Sequence, residues 1–549
     1  MAGEQKRSLI AKLVTLAVVP FVVAVVITII MGTFVFLASM VSVTIFCAYL
    51  LASWKRKQKA DGLQQQKKKE KELVWAHRKR VSVFAVYICV FVLPLAVAAV
   101  YSIEVGSYFG TSFSVYSAVV AFSLALTFMY TFLNVPLTIY HKKLEDSIPA
   151  PESFPLITII VPAYNEERTI AKTLDSLAEA DYPKKEIIVI DDGSADNTFA
   201  EATQYRHKFG KDVLHYSVIQ KPENSGKSSA INHGLLFAKG EYVVTVDADS
   251  IVSRDGLKMI VKYFQNPSVA GVGGNVKVMN RTSLLTNCQA LEYLVGINLW
   301  RRAFDIFGVV MVVPGALGAF NKKILRQAGN YDKDTLTEDF DITIKALKCG
   351  KVVQASSGAM AYTEAPATLG DLYKQRIRWY RGNMQTFVKH KDIATNSRYG
   401  MLRKYGYPVT VFTMLMLPIL GVVIGIAGII AILQGMWMFM LFSFLLFTSL
   451  QFVLSAIALL IDEKEDDWKV VLYSPLMVVG YKHLVDLIII KGVLDVAFGR
   501  KRLGWTSGKI QERQGEEVAA ATAASPTPPP FSSLQKDRAG ATAAVDDGK

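Results

Sequence analysis

Long apolar stretches alternate with polar ones along the 549-residue chain. Residues 13–53 carry no charge. One helix needs about 20 apolar residues to cross a bilayer, so this stretch predicts two membrane-spanning helices, with a break near Pro20 or Gly32. Four more stretches predict one span each, at residues 81–103, 112–140, 407–433 and 436–461. The pattern therefore predicts a membrane region of about four spans over residues 1–140 and a second membrane region over residues 405–505.

A seventh apolar stretch, residues 470–498, is interrupted by titratable side chains, namely Lys482, His483, Asp486, Lys491 and Asp495. Charges at the bilayer centre are costly and usually face a polar channel or a partner. An amphipathic helix lying in the membrane interface would carry the same pattern. The sequence leaves both interpretations open.

Positive charge is concentrated in one place. The chain has a net charge of +14, and residues 55–80 contain eleven of its Lys and Arg residues. Such a run can bind nucleic acid, but here it lies between predicted spans, where the positive-inside rule predicts a cytoplasmic loop. We therefore expect no nucleic-acid partner, some attraction to anionic membrane lipids, and a cytoplasmic location for residues 141–404.

The polar stretch between the two membrane regions has the pattern of an α/β domain. Short β-branched runs at residues 156–162, 186–190, 213–220 and 242–246 alternate with helical patterns at residues 167–180 and 228–238. This alternation predicts a mostly parallel sheet, which we assign to a domain at 141–374. Residues 375–404 are assigned to an interfacial helix region. The Ala-, Thr-, Ser- and Pro-rich tail at 506–549 is predicted to be disordered.

Two carboxylate clusters follow predicted strands, and a third lies further along the chain. They are Asp191-Asp192-Gly193, Asp247-Ala248-Asp249 and Thr337-Glu338-Asp339. Ligands of parallel sheets bind beyond the carboxyl ends of the strands. Carboxylates there suit a divalent cation and a general base. Each cluster also has a purely structural interpretation, as a turn with a helix cap or as the acidic start of a helix.

Two basic segments add to this picture. Residues 225–229 resemble a nucleotide-binding P-loop, but Lys221 stands where that motif requires Gly, which excludes this type of ATP site. Lys227 either contacts a diphosphate or is a solvated loop residue. In residues 375–379, helical spacing places Gln375, Arg378 and Trp379 on one face. An interfacial anchor would have the same composition, and one helix can serve both roles.

At these residues the chain resembles the family 2 membrane-integrated processive glycosyltransferases, which include hyaluronan, cellulose, chitin and poly-N-acetylglucosamine synthases. The resemblance covers roughly residues 156–385. It rests on VPAYNEE at 161–167, NSGKSSAIN at 224–232, GALGAF at 315–320 and QRIRW at 375–379. It implies an α/β GT-A glycosyltransferase domain with a mostly parallel sheet, embedded between transmembrane helices.

The resemblance also implies roles for individual donor-site residues. Asp191 would bind the uridine part of the donor, and Tyr164 and Glu166 would line the base pocket. Asp247 and Asp249 would form a DxD element, in which Asp249 is the ligand of Mg²⁺ or Mn²⁺.

On the acceptor side, Asp339 would be the catalytic base. Arg378 would neutralise the leaving diphosphate, Trp379 would support the acceptor sugar, and Gln375 would belong to the same diphosphate and acceptor segment. Lys227 would be a donor-binding residue in contact with the diphosphate.

These roles imply an inverting, UDP-sugar-dependent hexosyltransferase that elongates, and secretes through its own spans, a β-linked polysaccharide. Thr337-Glu338-Asp339 resembles the corresponding segment of poly-N-acetylglucosamine and cellulose synthases, which favours an N-acetylhexosamine polymer. The expected location is the plasma membrane, with the catalytic domain in the cytoplasm. The expected partners are the UDP-sugar, the growing polysaccharide and membrane lipids. Two alternatives are transfer of a single sugar to a lipid acceptor and a degenerate scaffold or transporter.

Overall fold

The computed structural model describes residues 111–499, except for residue 152 and residues 463–467. The first three predicted spans, the basic loop and the C-terminal tail lie outside the described residues. The described part begins with helix α1 (Thr111–Asp146), which covers the fourth predicted span. Its last two turns are polar. There the carboxylate of Glu145 is buried against Arg302, with 3.1 Å between Oε2 and Nη1, so this helix is fixed to the domain that follows it.

The first half of the domain is a run of strands and helices in alternation. The elements are β1 (Ile157–Ala163), α2 (Ile170–Glu179), β2 (Lys185–Asp191), α3 (Thr198–Gln204), β3 (Val213–Gln220), α4 (Lys227–Phe237) and β4 (Tyr242–Thr245). All four strands pair in parallel, in the order β3-β2-β1-β4. Their carboxyl ends therefore meet at one edge, and the two predicted Asp clusters lie there.

The second half extends the same sheet. Its elements are β5 (Ile251–Val252), α5 (Gly256–Val261), β6 (Val269–Val278), α6 (Leu284–Tyr293), α7 (Trp300–Asp305), β7 (Gly318–Asn321), α8 (Lys322–Gln327), α9 (Glu338–Lys348) and β8 (Val352–Thr363). Strand β7 is antiparallel to both of its neighbours, β4 and β6, while β6 and β8 are parallel. The result is a mixed, mostly parallel sheet of eight strands, which confirms the predicted fold class.

Hydrophobic clusters cover both faces of this sheet. Successive side chains of a strand point to opposite faces. Accordingly, Ile159 and Val161 of β1 belong to one buried cluster, whereas Ile160 belongs to the other. Every residue of β1 and β2 is buried. A sheet covered on both faces is rigid, so the loops at its carboxyl edge are held in fixed positions.

A long helix follows the sheet and leads towards two apolar helices. Helix α10 (Leu369–Lys389) begins at Thr368, whose hydroxyl accepts a hydrogen bond from the backbone N–H of Asp371. Helices α11 (Tyr407–Leu433) and α12 (Trp437–Ile461) come next. Two segments, Leu402–Leu433 and Ser443–Ile461, are long and apolar enough to cross a membrane. They lie where the apolar pattern predicts spans.

The stretch at residues 470–498 is broken into the end of a 3-10 helix (Trp468–Tyr473) and two α-helices. Helix α13 (Ser474–Val478) is separated from α14 (Tyr481–Ala497) by Gly480, whose φ of 100° is accessible mainly to glycine. The 17 residues of α14 pack against both α10 and α11. Gly421 of α11 permits this approach, because a Cβ there would lie 2.1 Å from Oδ2 of Asp486. Helix α14 is therefore packed between α10 and the candidate span α11.

Candidate active site

The loops after β1 and β2 form one rigid wall at the carboxyl edge of the sheet. The backbone N–H of Asn165 donates to Oγ of Ser194 at 2.9 Å, and Oδ1 of Asn165 accepts from the N–H of Ala195 at 2.8 Å. Asn165 has a positive φ of 55°, which Asn tolerates better than most residues. These bonds bring Tyr164 and Glu166 to the side of Asp191, as the resemblance implies for a base pocket.

The side chain of Asp191 is completely buried but only half satisfied. Its Oδ1 accepts from the backbone N–H of Ser194 at 3.1 Å and from the Ser194 hydroxyl. Within the described part of the chain, its Oδ2 has no hydrogen-bond partner. A buried acceptor without a donor is costly, so this oxygen fits a donor group supplied by a ligand.

Asp192 has a different role, which the sequence did not reveal. Its Oδ2 accepts from the backbone N–H groups of Ser225 at 3.2 Å and Gly226 at 2.8 Å, and its Oδ1 is paired with Lys221. Asp192 thus fixes the loop that precedes α4. Lys227, the first residue of that helix, is thereby directed towards the end of β4.

Lys227 joins the carboxylate clusters. Its Nζ lies 2.6 Å from Oδ1 of Asp247 and 3.2 Å from Oε1 of Glu338. Burial alone would lower the pKa of Lys227, but the carboxylates of Asp247 and Glu338 outweigh it and raise that pKa. Residues far apart in the sequence thus meet around the ammonium group of Lys227.

Asp339 lies at the start of α9, near the ammonium group of Lys227. Burial and, next, the Glu338 carboxylate raise the pKa of Asp339 to about 6, while Lys227 opposes the rise. Its Oδ1 accepts from the backbone N–H of Phe340 at 2.8 Å. A half-buried carboxylate with a pKa nearer to neutrality is suited to accept a proton.

A glycine allows the two sides of the site to approach. A Cβ on Gly315 would lie 2.4 Å from Nζ of Lys227 and 3.0 Å from Oδ1 of Asp247. The segment 315–320, which carries part of the resemblance, therefore passes directly over the pair of Lys227 and Asp247.

Two groups of acidic residues are candidate cation sites. Asp249 lies two residues beyond Asp247 at the end of β4 and is half-buried; with Asp247 it offers the hard oxygen ligands that Mg²⁺ and Mn²⁺ prefer. A second group, Asp332, Asp334 and Asp341, also has its oxygens close together. There, Nζ of Lys389 lies 2.7 to 3.0 Å from all three carboxylates. Lys227 stands in the same relation to Asp247, with 2.6 Å between Nζ and Oδ1, so each group sets carboxylate oxygens beside a lysine ammonium.

The QRIRW segment forms the middle of α10. Gln375, Arg378 and Trp379 are all half-buried. Among the residues that the structure describes, Arg378 has no hydrogen-bond or ion-pair partner, so its guanidinium is available to an anion. The sequence did not indicate the position of Arg376, which is fully buried and pairs with Glu292 at 2.7 Å.

Helix α10 also supports the loop that leads into α9 and its catalytic candidate, Asp339. A Cβ on Gly382 would lie 2.7 Å from Cγ2 of Thr337, so the helix and the loop are in direct contact. Oε1 of Gln385 accepts from the backbone N–H of Leu336 at 3.3 Å. Helix α10 is therefore connected directly to the segment that leads into the carboxylates of Glu338 and Asp339.

A cavity of about 480 Å³ lies between the domain and the apolar helices. Arg301 and Tyr380 line its side nearest the site, and Thr410, Leu417 and Pro418 of α11 line the far side. Burial lowers the pKa of Arg301 to about 10, and the Asp339 carboxylate acts against this. Arg301 thus links the catalytic candidate electrostatically to the cavity; no motif in the sequence points to it.

Comparison with known proteins agrees with this geometry. Residues 158–327 match the family described as Glycosyl transferase family 2. Two curated relatives are the poly-beta-1,6-N-acetyl-D-glucosamine synthases of Staphylococcus epidermidis, 33% identical over 234 residues, and of Staphylococcus aureus strain COL, 35% identical over 234 residues. Each match covers 42% of this chain and 56% of the relative, so the chain spans only about half the length of these relatives.

A solved structure with similarity to this chain is the mannosyltransferase PcManGT from Pyrobaculum calidifontis in complex with GDP-Man and Mn²⁺. It is 21% identical, with a TM-score of 0.48, and the match covers 70% of this chain and all of that one. The family model thus covers the part of the sheet that runs from β1 to the end of α8.

Proposed function

We propose that this protein is a membrane-embedded inverting glycosyltransferase that uses a UDP-sugar to elongate a β-linked N-acetylhexosamine polymer. The observation that carries the proposal is the meeting of Asp247, Lys227, Glu338 and Asp339 at the carboxyl edge of the sheet. Donor-side and acceptor-side groups of such an enzyme have to be within reach of the same anomeric carbon. The names of the two staphylococcal relatives support the choice of N-acetylglucosamine.

Uridine recognition is assigned to the wall formed by Tyr164, Glu166 and Asp191. The unpartnered Oδ2 of Asp191 is a buried acceptor that suits the N–H of a uracil ring.

The diphosphate is assigned to the space between Lys227 and Arg378. Lys227 is a point charge already in place, and Arg378 has an unengaged guanidinium that can form two parallel hydrogen bonds with phosphate oxygens. Fixed positive charge at the leaving group is typically a large part of catalysis in phosphate-containing sites. Asp249, with Asp247, would hold Mg²⁺ or Mn²⁺, which supplies further stabilisation of the leaving diphosphate.

Asp339 is assigned as the general base. Its carboxylate would accept the proton of the acceptor hydroxyl as that oxygen attacks the anomeric carbon from the face opposite to the diphosphate. Inversion follows from a single displacement of this kind. The raised pKa of Asp339 makes the carboxylate a stronger base than an ordinary aspartate while it remains ionised at neutral pH.

The acceptor is assigned to Trp379, Gln375 and the cavity of about 480 Å³. An aromatic face can hold a sugar ring through apolar contact. The cavity starts near Arg301, beside the base, and extends to α11, a candidate span, so it offers a route for a growing chain towards the membrane. We place the catalytic domain on the cytoplasmic side of the plasma membrane, where UDP-sugars are made.

The test is a product analysis with purified full-length protein in lipid nanodiscs. A panel of UDP-sugars is supplied with Mg²⁺ or Mn²⁺, and both UDP release and the size of the radiolabelled product are measured. We expect UDP-N-acetylglucosamine to give a polymer that a β-hexosaminidase degrades. A product that stops at one sugar on a lipid would instead establish single transfer, and no UDP release from any donor would refute an enzymatic role.

A further inference from the structure

Arg376 is the most completely enclosed charged group of the interfacial helix. Arg376 is 0% exposed, whereas Arg378, two residues further along the helix, is half-buried. The guanidinium Nη2 donates to Oε2 of Glu292 at 2.7 Å, and Nη1 donates to Oε1 of Gln375 at 3.1 Å. A buried guanidinium is costly unless it is paired. Glu292 of α6 is therefore what permits Arg376 to be buried.

The same guanidinium contacts the aromatic ring assigned to the acceptor. Its central carbon lies 4.3 Å from the centre of the Trp379 ring and 5.8 Å from that of Tyr293. A cation over an aromatic face is attracted to it, and the attraction is stronger where water is excluded. One face of the Trp379 ring is thus held by a charge whose own position is fixed by Glu292.

A third helix completes the arrangement. The hydroxyl of Tyr481, at the start of α14, donates to the same Oε2 of Glu292. The helices themselves are in close contact further along, because a Cβ on Gly492 would lie 3.3 Å from Cβ of Tyr380. The carboxylate of Glu292 is therefore shared between the interfacial helix and the helix that packs against the candidate span α11.

The arrangement also borders the proposed metal ligand. Burial raises the pKa of Tyr293, the Arg376 guanidinium acts against this rise, and the carboxylate of Asp249 adds to it. Tyr293 is therefore within electrostatic range of both Asp249 and Arg376. A change at Glu292 would thus act on the acceptor side within electrostatic range of the donor side.

We infer that Arg376, Glu292 and Tyr481 are positioning residues that orient Trp379 for the acceptor sugar and make this orientation depend on helix α14. The inference rests on the proposed function and adds three residues to it. The length of the polysaccharide product is then controlled from outside the catalytic domain. Movement of α14 relative to α10 would loosen Glu292, then Arg376, and finally the ring that holds the polymer end.

The test uses Tyr481→Phe, which removes one hydroxyl and leaves the ring. The matched control is Tyr473→Phe in the preceding segment, since the Tyr473 hydroxyl makes no hydrogen bond to Glu292 in the described part of the chain. Tryptophan emission is measured without substrate in four backgrounds: wild type, Tyr481→Phe, Trp379→Phe and the double variant. We expect Tyr481→Phe to shift the emission when Trp379 is present and to leave it unchanged when Trp379 is replaced. The control should shift it in neither background.

Activity provides the second readout. Tyr481→Phe should shorten the polymer while the KM for the UDP-sugar and the thermal midpoint stay at wild-type values, and Arg376→Lys should shorten it further because lysine lacks the planar fork. An emission shift that persists without Trp379, no shift with Trp379 present, or equal shortening by the Tyr473→Phe control would each overturn the inference. The emission readout needs no turnover, so failure of the inference is distinct from failure of the proposed function, which the wild-type product decides.

Discussion

Nζ of Lys227 lies 2.6 Å from Oδ1 of Asp247. The first residue comes from the start of α4 and the second from the end of β4, so the pair joins the donor-loop segment to the DxD element. Lys227 also faces Glu338 and Asp339. One lysine therefore balances a group of carboxylates that would otherwise repel each other and an incoming diphosphate.

Replacing Lys227 tests this balance. Lys227→Met should weaken UDP binding by about tenfold to a hundredfold, because a hydrogen bond between charged groups contributes about 1.5–3 kcal/mol. Isothermal titration with UDP measures the change. Lys227→Arg, which keeps the charge, is the control and should retain most of the affinity. Equal UDP affinity in Lys227→Met and wild type would remove Lys227 from the donor site.

The pH profile tests Asp339. A general base works only when it is deprotonated, so turnover should fall as the pH drops through about 6, the pKa of this carboxyl. Lys227 holds that pKa down, so Lys227→Met should move the acidic limb of kcat to higher pH. Asp339→Asn should lower kcat by about two to four orders of magnitude. A base contacts the acceptor rather than the donor, so UDP affinity should change little.

The Asp339→Asn variant, which should lose activity, should gain stability. The pKa of Asp339 is about 6 in the folded protein and 3.8 in a free chain, so ionised Asp339 destabilises the fold above pH 6. Asp339→Asn removes this cost and should raise the thermal midpoint at pH 7.5. The gain should shrink as the pH falls from 6 towards 3.8 and disappear below 3.8, where Asp339 is protonated in both states. A gain that is equal at pH 7.5 and pH 4 would contradict the assigned cause.

The pattern of apolar and polar residues predicts much of this fold because it is local. Strand β3 covers Val213–Gln220, the residues of the predicted run. Helix α4 lies one residue earlier than predicted at both ends, and β4 ends one residue earlier than predicted. Strand β7 was not predicted. Its four residues, Gly318–Asn321, lack β-branched side chains, and they form a strand only because β4 and β6 pair with them on either side.

In the site, too, features with a local sequence signal were predicted and features that depend on distant residues were not. The carboxylate clusters were predicted because each stands directly after a strand or at a helix start. The burial of Arg376 was not predicted, because it depends on Glu292, which lies 84 positions earlier in the chain and carries no local signal. Asp192 was likewise read as part of the ligand cluster, whereas its carboxylate holds the loop at 225–226.

Gly315 offers a steric test of the same pair. Gly315→Ala would place a methyl group 2.4 Å from Nζ of Lys227. The end of a lysine side chain moves easily, so the protein should still fold, but Lys227 should leave Asp247 and UDP affinity should fall. Gly210→Ala is the control, since a Cβ at Gly210 has no neighbour within 4 Å. Unfolding of the Gly315→Ala variant, measured by thermal melting, would show that the methyl displaces backbone instead.

Metal dependence should map to Asp249. Asp249→Asn should abolish transfer and weaken Mn²⁺ binding measured by electron paramagnetic resonance in the presence of UDP, because an amide is a weaker ligand than a carboxylate for hard cations. Asp334→Asn is the matched control. Asp334 belongs to the other acidic group, whose carboxylates are held by Lys389, so its replacement should leave Mn²⁺ binding intact. Full activity of the wild type in EDTA would refute the metal site.

The last prediction concerns Trp379 and the length of the product. Its ring is held by Arg376 on one side and can contact a sugar ring without a requirement for which unit of the polymer it is. Such a surface suits a site through which identical units pass. Trp379→Ala should therefore leave UDP affinity unchanged and shorten or abolish the polymer, while UDP release by donor hydrolysis continues.

The competing role for Trp379 is an anchor of α10 at the membrane interface. As an anchor, Trp379→Ala would lower the yield of inserted protein and leave the product length per active enzyme unchanged. Trp437→Ala is a suitable comparison, since Trp437 is exposed at the start of α12 and lies outside the proposed site. Polymer size on a gel, normalised to folded enzyme, separates the two roles. Product of normal length from well-folded Trp379→Ala protein would leave the ring with the anchoring role alone.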